Sequence, residues 1–221
     1  MAQAHRRGLT IAIPGRRSQA ERTAQTRQRI VAAVFESIAA VGLARTTAVE
    51  VTRRAGVTWG AVQHHFGGKD GMLIAAVEDS FDHFVSRFDR FDDLPIDGAP
   101  LDERVRRFVD GAWAHFGSRE YRSAFEILLH YFNPNDIGPN DLSGSPSWRD
   151  EMFRSWDRVW MELFHDSKLR RGERLAIEHY TLSVLAGLAS TRMLEGGRAQ
   201  PREKELEFLK DTLVRELGRR S

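Results

Sequence analysis

Between Thr47 and Phe66 the chain carries two short helical patterns separated by a glycine that can only be a stop. The first begins at Thr47-Ala48-Val49-Glu50, where the spacing of Thr and Glu fits a capping box. In such a box the Thr47 hydroxyl accepts from the Glu50 N–H, and the Glu50 carboxylate reaches back to the Thr47 N–H. Val51 and Ala55, four apart, give this helix one buried stripe. Gly56 ends it, because a left-handed C′ residue costs least without a Cβ. Val57 is the apolar residue of the turn. Thr58 caps a second helix running from Trp59 to about His65.

Two helices of about eight residues around a short turn match the helix-turn-helix, whose second helix enters the major groove of DNA. On the second helix, Val62 and Phe66 are spaced to face a small core. Trp59, Gly60, Gln63 and His64 fall elsewhere on the wheel and are predicted to be exposed. An exposed Trp beside a Gly near a helix N-terminus suits close approach to a flat surface, and base edges or thymine methyl groups fit. Gly67-Gly68 turns the chain, and Lys69 opens a third helix, where a cation beside free N–H groups suits a phosphate.

Over about residues 26–75 the sequence resembles the DNA-binding domain of the TetR family of bacterial transcription regulators. The resemblance rests on Thr46, Thr47, Val51, Ala55, Gly56, Val57, Thr58, Gly60, Val62, His65, Phe66, Lys69, Asp70 and Leu73. Two positions depart from the family pattern. Thr52 stands where Ala is usual, and Gln63 stands where a phosphate-touching Tyr is usual. Gln63 either donates to a phosphate in its place or reaches a base. The resemblance implies base contacts from Trp59, Gly60 and His64, and phosphate contacts from Thr47, Thr58, Gln63 and Lys69. It also implies a ligand-responsive regulator, expected to be a repressor, that binds a palindromic double-stranded operator as a homodimer and is released by a small-molecule effector.

Charge agrees with a polyanion partner. The 221-residue chain has a net charge of +2, but residues 1–70 hold 11 Lys and Arg against 4 Asp and Glu, whereas the remainder holds 22 against 27. Basic charge is concentrated around the motif. Residues 1–24, with Arg6, Arg7, Arg16, Arg17 and Arg22, are predicted to be a disordered basic arm. No apolar run approaches the ~18–20 residues of a membrane span. The N-terminus lacks an apolar signal-peptide core. There is no Cys, so thiolate zinc sites and Cys nucleophiles are excluded. A cytoplasmic protein with no membrane partner is expected.

The fold expectation is all-α with about nine helices in two domains. Residues 25–75 form the helix-turn-helix domain and residues 76–221 an effector-binding and dimerisation domain. The first helix is expected from about Gln25 to Val41, with Ile30, Val34, Ile38 and Val41 buried. The fourth runs from Lys69 to about Arg90, with Leu73, Ala76, Val77, Phe81, Phe84 and Phe88 at three- and four-residue steps. A polar break at 92–100 precedes helices near 101–117, 119–133, 146–166, 170–195 and 202–218. Residues 133–146 form a loop rich in Asn, Pro, Gly and Ser.

The middle helices mix large aromatics with polar groups, a combination that can line an effector pocket. Trp113, Phe116, Phe125, His130, Trp156, Trp160 and His179 are its candidate walls. The last two helices carry a small-residue and leucine seam. Leu182, Leu185, Ala189, Leu206, Leu209 and Leu213 are the candidate dimer interface, in the four-helix arrangement the resemblance implies. No catalytic motif, phosphate loop or dinucleotide fingerprint occurs, so neither enzymatic activity nor a cofactor is expected. Asp79/His83 and Glu126/His130 are i, i+4 pairs expected to be salt links, and no metal site is expected. The competing expectations are a helical small-molecule-binding protein or enzyme that uses the motif only for packing, and an interaction module anchored by Trp59.

Overall fold

The computed structural model describes residues 18–89, 98–131, 148–196 and 200–219. The basic arm up to residue 17, Arg90 and the loop expected at 133–146 lie outside the described residues. The elements are α1 (Gln19–Val41), a 3-10 turn (Leu43–Arg45), α2 (Ala48–Ala55), α3 (Trp59–Phe66), α4 (Lys69–Asp89), α5 (Leu101–Phe116), α6 (Arg119–Tyr131), α7 (Trp148–Phe164), α8 (Arg171–Glu195) and α9 (Glu203–Leu217). No strand occurs among the described residues.

One boundary is corrected. The first helix starts at Gln19 and not near Gln25, so residues 19–24 are helix, not disordered arm. The cause is local. Ser18 Oγ accepts from Glu21 N at 3.2 Å, and the Glu21 carboxylate accepts from Ser18 N at 2.7 Å, a complete capping box. The box expected at α2 is only half formed. Thr47 Oγ1 accepts from Glu50 N at 3.2 Å, but the Glu50 carboxylate is held by Arg53 and Arg54 instead of returning to the Thr47 N–H.

Two cores organise the helices. The first gathers Ile30, Val34 and Ile38 of α1, Val51 and Ala55 of α2, Val62 of α3 and Met72, Leu73 and Ala76 of α4. It also includes Ala124 and Ile127 of α6, with Leu128 and Tyr131 packed at its edge. The second gathers Phe84 and Phe88 of α4, most of the apolar face of α5, Tyr121 of α6, Trp156 and Trp160 of α7, and the buried stripes of α8 and α9. The cut expected after residue 75 therefore falls inside α4, which is common to both cores. α6 is the second shared element.

Two tight points fix the motif. At Gly56 the backbone is left-handed, with φ +61° and ψ +42°, as the turn requires. At Gly71 an added Cβ would lie 2.0 Å from the Phe66 carbonyl oxygen, so only glycine lets α4 leave α3 at this angle. In the second core, Arg104 of α5 is buried. It grips Asp166 through two bonds of 2.8 and 2.7 Å and donates to the Leu163 carbonyl at 2.6 Å, closing the end of α7.

Candidate nucleic-acid interface

α3 is held from behind and left bare in front. Val62 is fully buried, and Phe66 packs at the edge of the first core with the Arg27 guanidinium 5.0 Å from its ring centre. Trp59, Gly60, Gln63 and His64 are all exposed, as the helical wheel predicts. The α2 side is fixed by Arg29 of α1, which donates to the carbonyls of Ala55 and Gly56. Those are the orphan acceptors at the end of α2. Behind α2, Ser37 and Thr46 share a buried hydrogen bond of 3.0 Å, and Thr46 also donates to the Gly42 carbonyl. The two-helix unit is thus anchored to α1 at both ends of α2.

The predicted phosphate contacts have suitable chemistry. Thr47 and Thr58 each accept a capping bond, from Glu50 N at 3.2 Å and Ala61 N at 3.3 Å. A hydroxyl that accepts still has its own hydrogen to donate. Both are exposed, at the N-termini of α2 and α3. Lys69 is exposed at the first position of α4, and the neighbouring Asp70 carboxylate accepts from the Tyr131 hydroxyl at 2.6 Å. Gln63 is partly engaged within its own helix and keeps one amide N–H to donate. Its Nε2 donates to the Gly67 carbonyl at 3.1 Å and closes the C-terminus of α3.

The predicted effector walls divide. Phe116, Trp156 and Trp160 are buried in the second core, and Trp113 and Phe125 pack at its margin. Phe84 sits at the centre, with ring centres at 5.5 Å from Trp156, 5.1 Å from His115 and 6.1 Å from Phe116. His130 and His179 are exposed and are not brought to this cluster. The buried imidazole is His115, which burial, reinforced by Arg87 and His83, pulls from its ordinary 6.5 down to about 4. Among the described residues, the buried Ser80 hydroxyl and the Trp156 and Trp160 indole N–H groups have no hydrogen-bond partner.

The predicted dimer residues lie inside the protomer or at the margin of its second core. Leu185, Ala189, Leu206, Leu209 and Leu213 are buried in the protomer's own second core, and Leu182 packs half-buried against it. The leucine seam of α9 is consumed by packing within the chain. The outward stripe of α8 is instead Tyr180, Ser183, Gly187, Thr191 and Leu194, all exposed, with Phe208 of α9 71% exposed. The Asp79–His83 pair is a 3.5 Å salt contact, and among the described residues no three His, Asp or Glu side chains converge as metal ligands. No helix among them is long and apolar enough to cross a membrane.

Several residues escaped the sequence. Arg29 acts on carbonyls a whole helix away, and Tyr131 joins Asp70 across 61 positions, so neither has a local signal. Val49 did have one. It lies two residues from the buried Val51, on the opposite face of α2, and is 76% exposed.

Comparison with known proteins follows the same division. Residues 30–76 match the family model of bacterial regulatory proteins, tetR family. The HTH-type transcriptional regulator BetI 1 of Chromohalobacter salexigens is 45% identical over 51 residues, which is 23% of this chain and 25% of that protein. The chain thus matches only about a quarter of the length of that curated relative. Solved structures extend the likeness to the whole fold. The fatty acid degradation regulator FadR of Bacillus halodurans superposes with a TM-score of 0.61 at 13% identity, over 86% of this chain and 94% of that one. A TetR-family transcriptional regulator of Haemophilus influenzae gives 0.56 at 18%, over 90% and 98%. At these identities the likeness is one of fold. The helix-turn-helix at residues 30–76 carries the sequence signature of the tetR family of bacterial regulatory proteins, and the helices behind it share the fold of these solved structures.

Proposed function

We propose that the protein is a ligand-responsive transcriptional repressor that binds a palindromic operator as a homodimer in the cytoplasm. The observation that carries this reading is α3. It is a short helix braced by Arg29, Val62 and Gly71, with an outward face of Trp59, Gly60, Gln63 and His64 that is exposed among the described residues. Trp59, Gly60 and His64 face the bases, and Thr47, Thr58, Gln63 and Lys69 hold the backbone. Two copies place two such helices one or more helical turns apart, ~34–36 Å per turn. The dimer forms across the exposed stripe of α8 and Phe208, where Ser183, Gly187 and Thr191 let two α8 helices approach closely.

The effector binds in the aromatic cluster around Phe84, where Ser80, Trp156 and Trp160 offer donors without partners. Ser80 and Phe84 lie on α4, the helix that also carries Lys69, Met72 and Leu73 into the DNA-binding end. A ligand that displaces Phe84 therefore tilts α4 and changes the spacing of the two α3 helices, so both no longer fit their grooves together.

Gel-shift titration on promoter fragments, including the DNA upstream of the protein's own gene, tests the reading. Saturable binding to one fragment by a dimer is expected. Lys69→Ala is expected to weaken binding to every sequence and to flatten the salt dependence by about one unit of slope. Strictly monomeric protein with no preference for any duplex at low ionic strength rules the proposal out.

A further inference from the structure

Given that DNA-binding reading, we infer that the protein recognises its half-site mainly through thymine 5-methyl groups, packed against an apolar face made by Trp59 and Val49.

The polar readers are few and partly engaged. Guanine is normally read by a bidentate Arg or Lys, and adenine by Asn or Gln. The α3 sequence Trp-Gly-Ala-Val-Gln-His-His-Phe contains no Arg, Lys or Asn. On α2, Arg53 donates to Glu50 at 3.1 and 2.9 Å and Arg54 donates to the same carboxylate at 2.6 Å. Arg29 is bound to the carbonyls of the turn. The Gln63 amide donates to Gly67. On α3 the exposed His64 ring and the second N–H and Oε1 of Gln63 are left to hydrogen-bond base edges, which is little polar chemistry for specifying a whole site.

What the motif does expose is apolar. Val49, 76% exposed, and Trp59, 45% exposed, are the only large hydrophobic side chains left in solvent among the described residues of the motif and its flanking helices α1 and α4. Both lie in the first turns of their helices, α2 and α3. Those are the ends that approach the duplex, since free N–H groups and dipoles there attract phosphate. Gly60, next to Trp59, adds no side chain, so the indole can be pressed flat against the groove. Around the motif, residues 1–70 carry the excess of basic over acidic residues that a duplex demands. In the major groove the one apolar mark that distinguishes a base is the thymine methyl.

The test starts from the full protein and a randomised duplex pool. The enriched operator is then resynthesised with deoxyuridine replacing thymine within the half-sites, and as a control only outside them. Removing a packed methyl is expected to lower affinity about three- to fivefold per position. The outside control is expected to bind unchanged. Trp59→Ala is expected to erase most of the thymine-over-uracil preference while retaining non-specific binding, and Val49→Ala to erase part of it. Because the DNA carries the change, the result does not depend on a variant folding. Undiminished affinity for the uracil operator, or an operator whose critical positions are all G·C, overturns the inference and leaves DNA binding intact. Failure of the pool to enrich any sequence overturns the DNA-binding reading itself, and this inference with it.

Discussion

A glycine inside a helix costs roughly 1 kcal/mol relative to alanine, and nothing inside this protein requires one at position 60. A Cβ there would meet only Thr58 Oγ1, at the ordinary contact distance of 3.7 Å. The open position faces outward, which is where the proposed DNA contact needs close approach. Gly60→Ala is therefore expected to separate stability from function. The variant melts at a higher temperature, gaining about 0.4–1 kcal/mol, yet binds its operator more weakly. Thermal melts beside operator titrations check both signs, and a variant that gains stability with unchanged affinity removes Gly60 from the interface. His115 supplies a second residue-scale expectation. Its folded pKa of about 4 lies below the ordinary 6.5, so between those values the unfolded chain binds more protons than the folded one. The stability His115 permits is present above about pH 6.5 and is lost as pH falls toward 4, by on the order of 3 kcal/mol. His115→Phe should flatten the acid limb of a stability-versus-pH curve in this window. An identical limb in the variant assigns the acid sensitivity to other groups.

α6 is the element whose role the sequence concealed. Its N-terminal half puts Tyr121 into the second core, and its C-terminal half puts Ala124 and Ile127 into the first. Glu126 accepts from Leu43 N at 3.4 Å, and Tyr131 holds Asp70 at the start of α4. The helix therefore spans both cores alongside α4 and antiparallel to it. Ile127→Ala is expected to cost about 2–5 kcal/mol. The loss should appear in amide exchange of α1 and the first half of α4 as strongly as in α6. Exchange confined to α6 and the second core would show that the first core stands without it. The contrast with the motif explains what was legible. Thr58, Gly56 and the Val51/Ala55 stripe act on neighbours within four residues, so their chemistry is written locally. The seven longer helices were visible from apolar repeats alone. Which core each stripe of α6 enters depends on contacts across the chain, and periodicity is blind to that. The early start of α1 was a different miss. Ser18 and Glu21 form a local signal, but the basic, Pro- and Gly-broken stretch before them masked it.

At the scale of the whole molecule, the proposed homodimer needs a face of α8 and α9 that a second copy can meet. Leu206, Leu209, Leu213 and Leu217 repeat at seam spacing whether they pack on a partner or on α5 of their own chain. The structure assigns them to the latter, with Leu209 and Leu213 at 1% and 0% exposure. That leaves the stripe from Tyr180 to Leu194, with open space around Gly187, and Phe208 beside it as the exposed face on which the proposed homodimer would form. Two substitutions separate the alternatives. Phe208→Glu places a charge on an exposed side chain and should leave the helical content and melting temperature of the isolated protomer nearly unchanged, since surface changes usually stay within about 0.5 kcal/mol. It is expected to shift the sedimentation coefficient from dimer to monomer at micromolar concentration. It should also reduce affinity for a two-half-site operator much more than for a single half-site, because only the former engages both copies. Leu209→Ala should do the reverse, lowering stability by about 2–5 kcal/mol without a selective effect on association. A Phe208→Glu protein that remains dimeric places the interface elsewhere on the surface.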